Sequence, residues 1–345
     1  MDLSPYILEE AKRHSSVTPQ DIVKLCYQAA YGVGHILSDT TRALEYFNDE
    51  FESTPADDKL LVEYIGTDVC RVNFSAWKRL TLNPTWLWNL FFASISYETS
   101  GNIDEYILQA EKLCKDGKLP FSYSQWDDYI RGYNGEIVSH SPEYRENEKP
   151  AYRILTGWSV KLLPIIESIA GCASGVIAID GRAAAGKSTL AGYLADIISD
   201  GIIIKMDDFF LPPELRTPER LAEPGGNIHH ERFCEEVLPY IKADYEFQYR
   251  KFDCRIMDYD GVTVIPADSW RIVEGVYSGH PVFGDYADIR IFMDIEPGAQ
   301  HQRIENRDNP KIAKQYFTKW IPMEEAYFRA YKIQEAANLC FTPKK

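Results

Sequence analysis

The apolar positions of this chain change their period near residue 172. From Ser4 to about Ile169 they recur mostly at helical spacing. In "TPQDIVKLCYQAAYG" Ile22, Leu25, Cys26, Ala29 and Ala30 lay one apolar stripe along a helix. Thr18, Pro19 and Asp21 read as the start of that helix, and Gly32 and Gly34 as its end. "SPYILEEAKRH" repeats the device, with Ser4 as N-cap and Pro5 at the first helical position. "NPTWLWNLFFASISYETSG" and "NIDEYILQAEKLCKDG" predict further helices, each closed by a glycine, with the tryptophans and phenylalanines of the first as core. Residues 139–153 are polar and punctuated by proline, which predicts a loop. A last helix is expected from about Ala151 to Ala170.

From Cys172 onward short β-branched runs alternate with helical stretches: "GVIAID", "GIIIKMDD", "SWRIVEG" and "DIRIFMDI". That alternation predicts an α/β domain, a parallel sheet covered by helices. The chain thus divides into a mostly α-helical N-terminal domain, residues 1–171, and an α/β domain, residues 172–345. A length of 345 residues fits two cores better than one.

Composition narrows the function. A net charge of -15 disfavours a general nucleic-acid binder or a membrane-surface protein, because both need concentrated Lys and Arg. The seven cysteines are scattered and form no C-x-x-C pair, so they predict reduced thiols and not a zinc ribbon or disulfide framework. The N-terminus lacks the apolar core of a signal peptide, and no run of about 18 apolar residues follows. A cytoplasmic location is expected. In the first half "QAAYGVGHIL" places His35 after two glycines, as a site residue or, on the plainer reading, part of a packed turn.

The chemistry concentrates in "AIDGRAAAGKSTLAGYL". Gly181, Gly186, Lys187 and Ser188 satisfy G-x-x-x-x-G-K-[ST] between an apolar strand and an amphipathic helix, the setting a phosphate-binding loop requires. The backbone around Gly181, Ala183, Ala184, Ala185, Gly186, Lys187, Ser188 and Thr189 would enclose phosphate oxygens at a helix N-terminus. Lys187 would reach the outer phosphates of ATP or GTP, and the Ser188 hydroxyl would bind Mg²⁺. Asp207 and Asp208 follow the second strand, and since strand residues alternate in direction, only one should face the site. Glu274 ends the third strand. Arg303, Arg307, Lys311 and Lys314 lie in a polar helical stretch suited to a basic lid; Arg303 and Arg307, four apart, would share a face and clamp phosphoryl oxygens.

"GRAAAGKST", "MDDFF", "VEGVYS" and the arginine-bearing stretch, in that order, resemble the uridine kinase and phosphoribulokinase group of P-loop small-molecule kinases. The resemblance covers about residues 174–330 and implies a P-loop NTPase-type fold there. It implies Asp207 as the base that accepts the substrate hydroxyl proton, with Asp208 as rival, and Glu274 as the carboxylate that assists Mg²⁺, with Asp294 as alternative. In "AEPGGNIHHERF" Asn227 and His230 match a family segment in type, but His229 stands where the acidic residue that holds ribose hydroxyls would be. In "YEFQYRKFDCRIMDYDG" Phe252 and Asp253 fit a second segment, while Arg250 and Arg255 bring positive charge suited to an anionic substrate, or else belong to an exposed hairpin. Tyr277 joins these substrate candidates.

The expected activity is ATP- and Mg²⁺-dependent phosphorylation of a hydroxyl on a small metabolite, a nucleoside being the first candidate. Pantothenate, glycerate or a sugar phosphate is an alternative acceptor, and a homo-oligomer is left open. The rival reading is a nucleotide-sensing regulatory protein whose helical half binds a partner.

Overall fold

A computed structural model describes residues 1–33, 40–97, 99, 101–172, 174–267 and 269–342. His35 lies outside the described residues. The chain forms two compact units, Met1–Gly171 and the residues from Cys172 onward. Among the described residues no helix is long and apolar enough to cross a membrane.

The first unit contains α1 (Ser4–Arg13), α2 (Pro19–Tyr31), α3 (Thr40–Ser53), β1 (Val62–Gly66), β2 (Val69–Asn73), α4 (Phe74–Arg79), α5 (Pro84–Ser94), α6 (Ile103–Lys115), α7 (Tyr123–Gly132), α8 (Pro142–Glu148), β3 (Tyr152–Thr156) and α9 (Trp158–Ser168). Asp21 caps α2 by accepting the Thr18 N–H at 3.1 Å, and the Asn83 and Asn102 side chains accept first-turn amides of α5 and α6. Trp77, Trp126, Phe47 and Phe74 are buried, the Phe47 and Phe74 ring centroids 5.2 Å apart.

Three sequence expectations are corrected here. The helix expected from Ala151 is in fact β3 followed by α9: "YRILT" joins an antiparallel sheet of order β1-β2-β3. Gly157, at φ +57°, turns the chain between them, and a Cβ there would lie 2.3 Å from the Tyr97 ring. The polar stretch from residue 139 is not a simple surface loop, because it contains α8 and buries His140 and Ser141 against Asp21. Finally, α5 stops at Ser94, well short of the glycine expected to close it.

The sheet also carries a buried ion pair. Arg71, fully buried on β2, donates through Nη1 to the Glu10 carboxylate at 2.7 and 2.9 Å and through Nε to Gln28 at 3.0 Å. Arg71→Met leaves Glu10 buried without its cation, so denaturant unfolding is expected to show a loss of about 3–5 kcal/mol. Changing Glu10 to Met as well should recover most of that loss, and a single variant as stable as the parent would refute the assignment.

The second unit is an α/β unit built on a parallel sheet. Its elements are β4 (Val176–Gly181), α10 (Lys187–Ile198), β5 (Gly201–Lys205), α11 (Pro218–Ala222), α12 (His230–Glu236), β6 (Phe247–Asp253), β7 (Asp258–Ile265), β8 (Trp270–Glu274), β9 (Ile289–Met293), α13 (Pro297–Arg307), α14 (Pro310–Gln315), α15 (Ile321–Tyr331) and β10 (Leu339–Phe341). Five strands pair in parallel in the order β10-β9-β4-β8-β5. Strands β4 and β8 are buried throughout, which fits the apolar run Val176–Ile179 of β4 and the Ile272 and Val273 of β8. Strands β6 and β7 form a separate antiparallel hairpin. Order reversal around β4 leaves a crevice at the carboxyl ends of β4, β5 and β8, where open α/β sheets hold ligands.

Candidate active site

The crevice is a cavity of about 860 Å³. Its wall includes Ala183, Ala184, Gly186, Lys187, Ser188 and Thr189 from the loop between β4 and α10. Gly181 sets that loop going: its φ is +135°, and a Cβ there would lie 2.1 Å from the Met293 carbonyl oxygen. Asp180, buried at the end of β4, accepts the Gly181 N–H at 2.7 Å, the Gly279 N–H at 2.9 Å and the Tyr327 hydroxyl at 2.8 Å. These bonds tie the loop to the chain after β8 and to α15.

Lys187 Nζ donates to the carbonyls of Gly181 at 2.8 Å and Arg182 at 2.9 Å, so the ammonium lies across the loop. The Ser188 hydroxyl lies 3.1 and 3.2 Å from the two oxygens of Glu274. A hydroxyl beside a carboxylate, both lining the cavity next to a lysine, is an all-oxygen donor pair suited to Mg²⁺. Asp294, the alternative metal carboxylate, is instead paired with Arg182 and is absent from the cavity wall.

The two aspartates after β5 do not continue the strand. They sit on a 3₁₀ turn, Met206–Phe209, so turn geometry, not strand alternation, separates them. Met206 and Phe209 are fully buried, with Phe209 packed against Phe233 at 5.1 Å and Tyr249 at 5.0 Å between ring centroids. These anchors leave Asp207 on the cavity wall, while Asp208 accepts the Tyr249 hydroxyl at 3.0 Å away from it. Solvent reaches Asp207 through the cavity, yet protein surrounds it on most sides, and that burial raises its carboxyl above the usual range against the pull of Lys187, Lys205 and Arg307. Burial likewise raises Glu274, and the Asp207 charge adds to the rise.

From the basic stretch, Arg303 and Arg307 line the cavity and Lys311 and Lys314 do not. Arg303 Nη1 donates to the Ala184 carbonyl at 3.1 Å, and the Arg307 guanidinium lies 5.1 Å from the centre of the Tyr316 ring. Gln300, which the sequence did not single out, donates to the Ala183 carbonyl at 3.0 Å.

Most of the substrate candidates stay outside. His229 accepts the Arg232 N–H at 3.1 Å and so caps α12. His230 is stacked with His280, their centroids 5.5 Å apart, and meets Arg220. Arg250 pairs with Glu236 and Arg255 with Asp253 at the hairpin, the plainer of the two readings of that segment. None of these five lines the cavity, whereas Tyr277 does. Arg216, Asn227, Met257, Trp320 and Glu324 also line it. They come from separate loops and helices, so no local motif marks them.

No protein-family model and no curated protein matches the chain. Solved structures similar to it include a protein from Bacillus stearothermophilus described as a possible uridine kinase. It shares 20% identity over 52% of this chain and 95% of that one, with a TM-score of 0.41. Another, from Silicibacter sp. TM1040, is described as a candidate fructose transport system kinase and shares 22% identity over 52% of this chain and 97% of that one, with a TM-score of 0.43.

Proposed function

We propose that the second unit transfers the terminal phosphoryl group of a magnesium-bound nucleoside triphosphate to a hydroxyl of a small metabolite, with a nucleoside as first candidate. One observation carries this reading: Asp207 shares a single cavity with Lys187 and the Ser188–Glu274 pair. A carboxylate on that wall besides the one beside Ser188 offers an acceptor hydroxyl a place to leave its proton. Loop amides and Lys187 hold the phosphates, Ser188 and Glu274 hold the metal, Asp207 accepts the hydroxyl proton, and Arg303 and Arg307 meet the oxygens on which charge gathers. Bound Mg²⁺ supplies neutralisation of charge on the outer phosphates.

The acceptor end is polar. Among the described residues nothing donates a hydrogen bond to the buried side-chain oxygen of Asn227, which suits a donor such as a substrate hydroxyl.

A screen of hydroxyl metabolites with Mg²⁺ and ATP or GTP, read as release of the nucleoside diphosphate, tests the reading. Acceptor-stimulated turnover is expected. Nucleotide binding without any stimulating acceptor would replace it with a regulatory role. Within the screen, Arg307→Ala should lower turnover on the order of 10²-fold while moving nucleotide affinity much less. An equal loss in both would make Arg307 a binding group alone.

A further inference from the structure

The loop amide of Ala183 already has an anionic partner. Glu324, in the first turn of α15, accepts that N–H through Oε2 at 3.0 Å. Its side chain lines the cavity and is 7% exposed. The bond is not a helix cap or part of the sheet; it spans from α15 to the phosphate loop and uses a donor that faces the anion site.

We propose that the Glu324 carboxylate competes with the terminal phosphoryl group of a triphosphate for the Ala183 amide, and so moderates the preference of this site for a triphosphate over a diphosphate. The inference rests on the phosphotransfer reading above and adds a specificity residue to it. Amides at the start of α10 hold the inner phosphates, and Lys187 reaches the outer ones. Glu324 lies within the field of that same Lys187. A carboxylate and an outer phosphate therefore compete for one amide and one ammonium, and both cannot remain charged there in a water-poor wall. A diphosphate engages the ammonium alone and leaves the amide to Glu324.

The charged surroundings favour release of the carboxylate's charge. Burial pushes the Glu324 carboxyl up to about 7, with Asp180 and Glu325 adding to the rise and Lys187 and the Ala183 amide opposing it. Tyr277 is the other titratable group facing it. Displacement by a triphosphate thus protonates Glu324 in place.

Calorimetry on the full chain tests this with Mg·ATP and Mg·ADP, in buffers of different ionisation enthalpy at about pH 7.5, just above the carboxyl midpoint. The parent should take up more protons with ATP than with ADP. Glu324→Gln keeps the amide bond but removes the charge, so that difference should vanish and the preference for ATP over ADP should rise about tenfold. An unchanged preference with unchanged proton uptake would overturn the role of Glu324 and leave the kinase reading standing. If neither protein binds either nucleotide, the kinase reading falls and this inference with it. Should Glu324→Gln fail to fold, the parent decides alone: equal proton uptake with ATP and ADP rules the proposal out.

Discussion

Asp207→Asn lowers turnover by about 10²–10⁴-fold and leaves nucleotide affinity nearly unchanged, if the carboxylate is the base of the reaction. The substitution preserves shape on the cavity wall and removes only the proton acceptor and its charge. Asp208→Asn should do far less to turnover, because Asp208 faces Tyr249 and not the cavity. Steady-state kinetics on the two variants separates the roles, and the opposite ranking would transfer the base to Asp208. The pH profile adds a second check. A raised carboxyl must lose its proton to act, so activity of the parent should rise with pH through the Asp207 midpoint, above the ordinary aspartate range. That acid limb should be missing from the residual activity of Asp207→Asn.

Gly181→Ala abolishes nucleotide binding and destabilises the second unit. The added methyl would meet the Met293 carbonyl oxygen at 2.1 Å and its nitrogen at 2.6 Å, and both are backbone atoms of β9 that cannot rotate aside. Residue 181 also has φ +135°, which L side chains adopt rarely. Overpacking of this kind costs about 1–3 kcal/mol, before the strain is counted. Gly192→Ala is the matched control: on α10, with nothing within 4 Å of its would-be Cβ, it should be neutral or stabilising by about 0.5–1 kcal/mol. Thermal unfolding and nucleotide titration of both variants decide the matter. A Gly181→Ala protein that still binds nucleotide with parental affinity would show that the loop tolerates a different path.

The reading of the second half from sequence and the structure agree where chemistry is local. The phosphate loop, the strand before it and the helix after it all lie within residues 176–198, and each depends on near neighbours. The strand ends at Glu274 and the arginines of α13 were likewise visible, since strand period and four-residue spacing project directly into space. The acceptor wall was not. His229 and Arg250 look like ligands in a string of letters, yet one caps α12 and the other answers Glu236. Asn227 and Glu324 look ordinary there, and their distinction is an oxygen without a donor among the described residues for one and a partner on a distant loop for the other.

The first unit shows the same division. Capping residues marked the start of α2, but the segment "YRILT" was absorbed into a helix because its strand character depends on pairing with β2, more than eighty positions earlier.

Sequence alone therefore determined the α/β grammar after residue 172, the phosphate loop and the presence of carboxylates after the second and third strands, because φ preferences, periodicity and short spacings act within a few residues. Only the tertiary structure decided which of two adjacent aspartates meets the cavity, which arginines are already neutralised and which glutamate reaches into the loop. Those outcomes depend on the burial and electrostatic field at a point in space, to which segments as far apart as Ala183 and Glu324 contribute together.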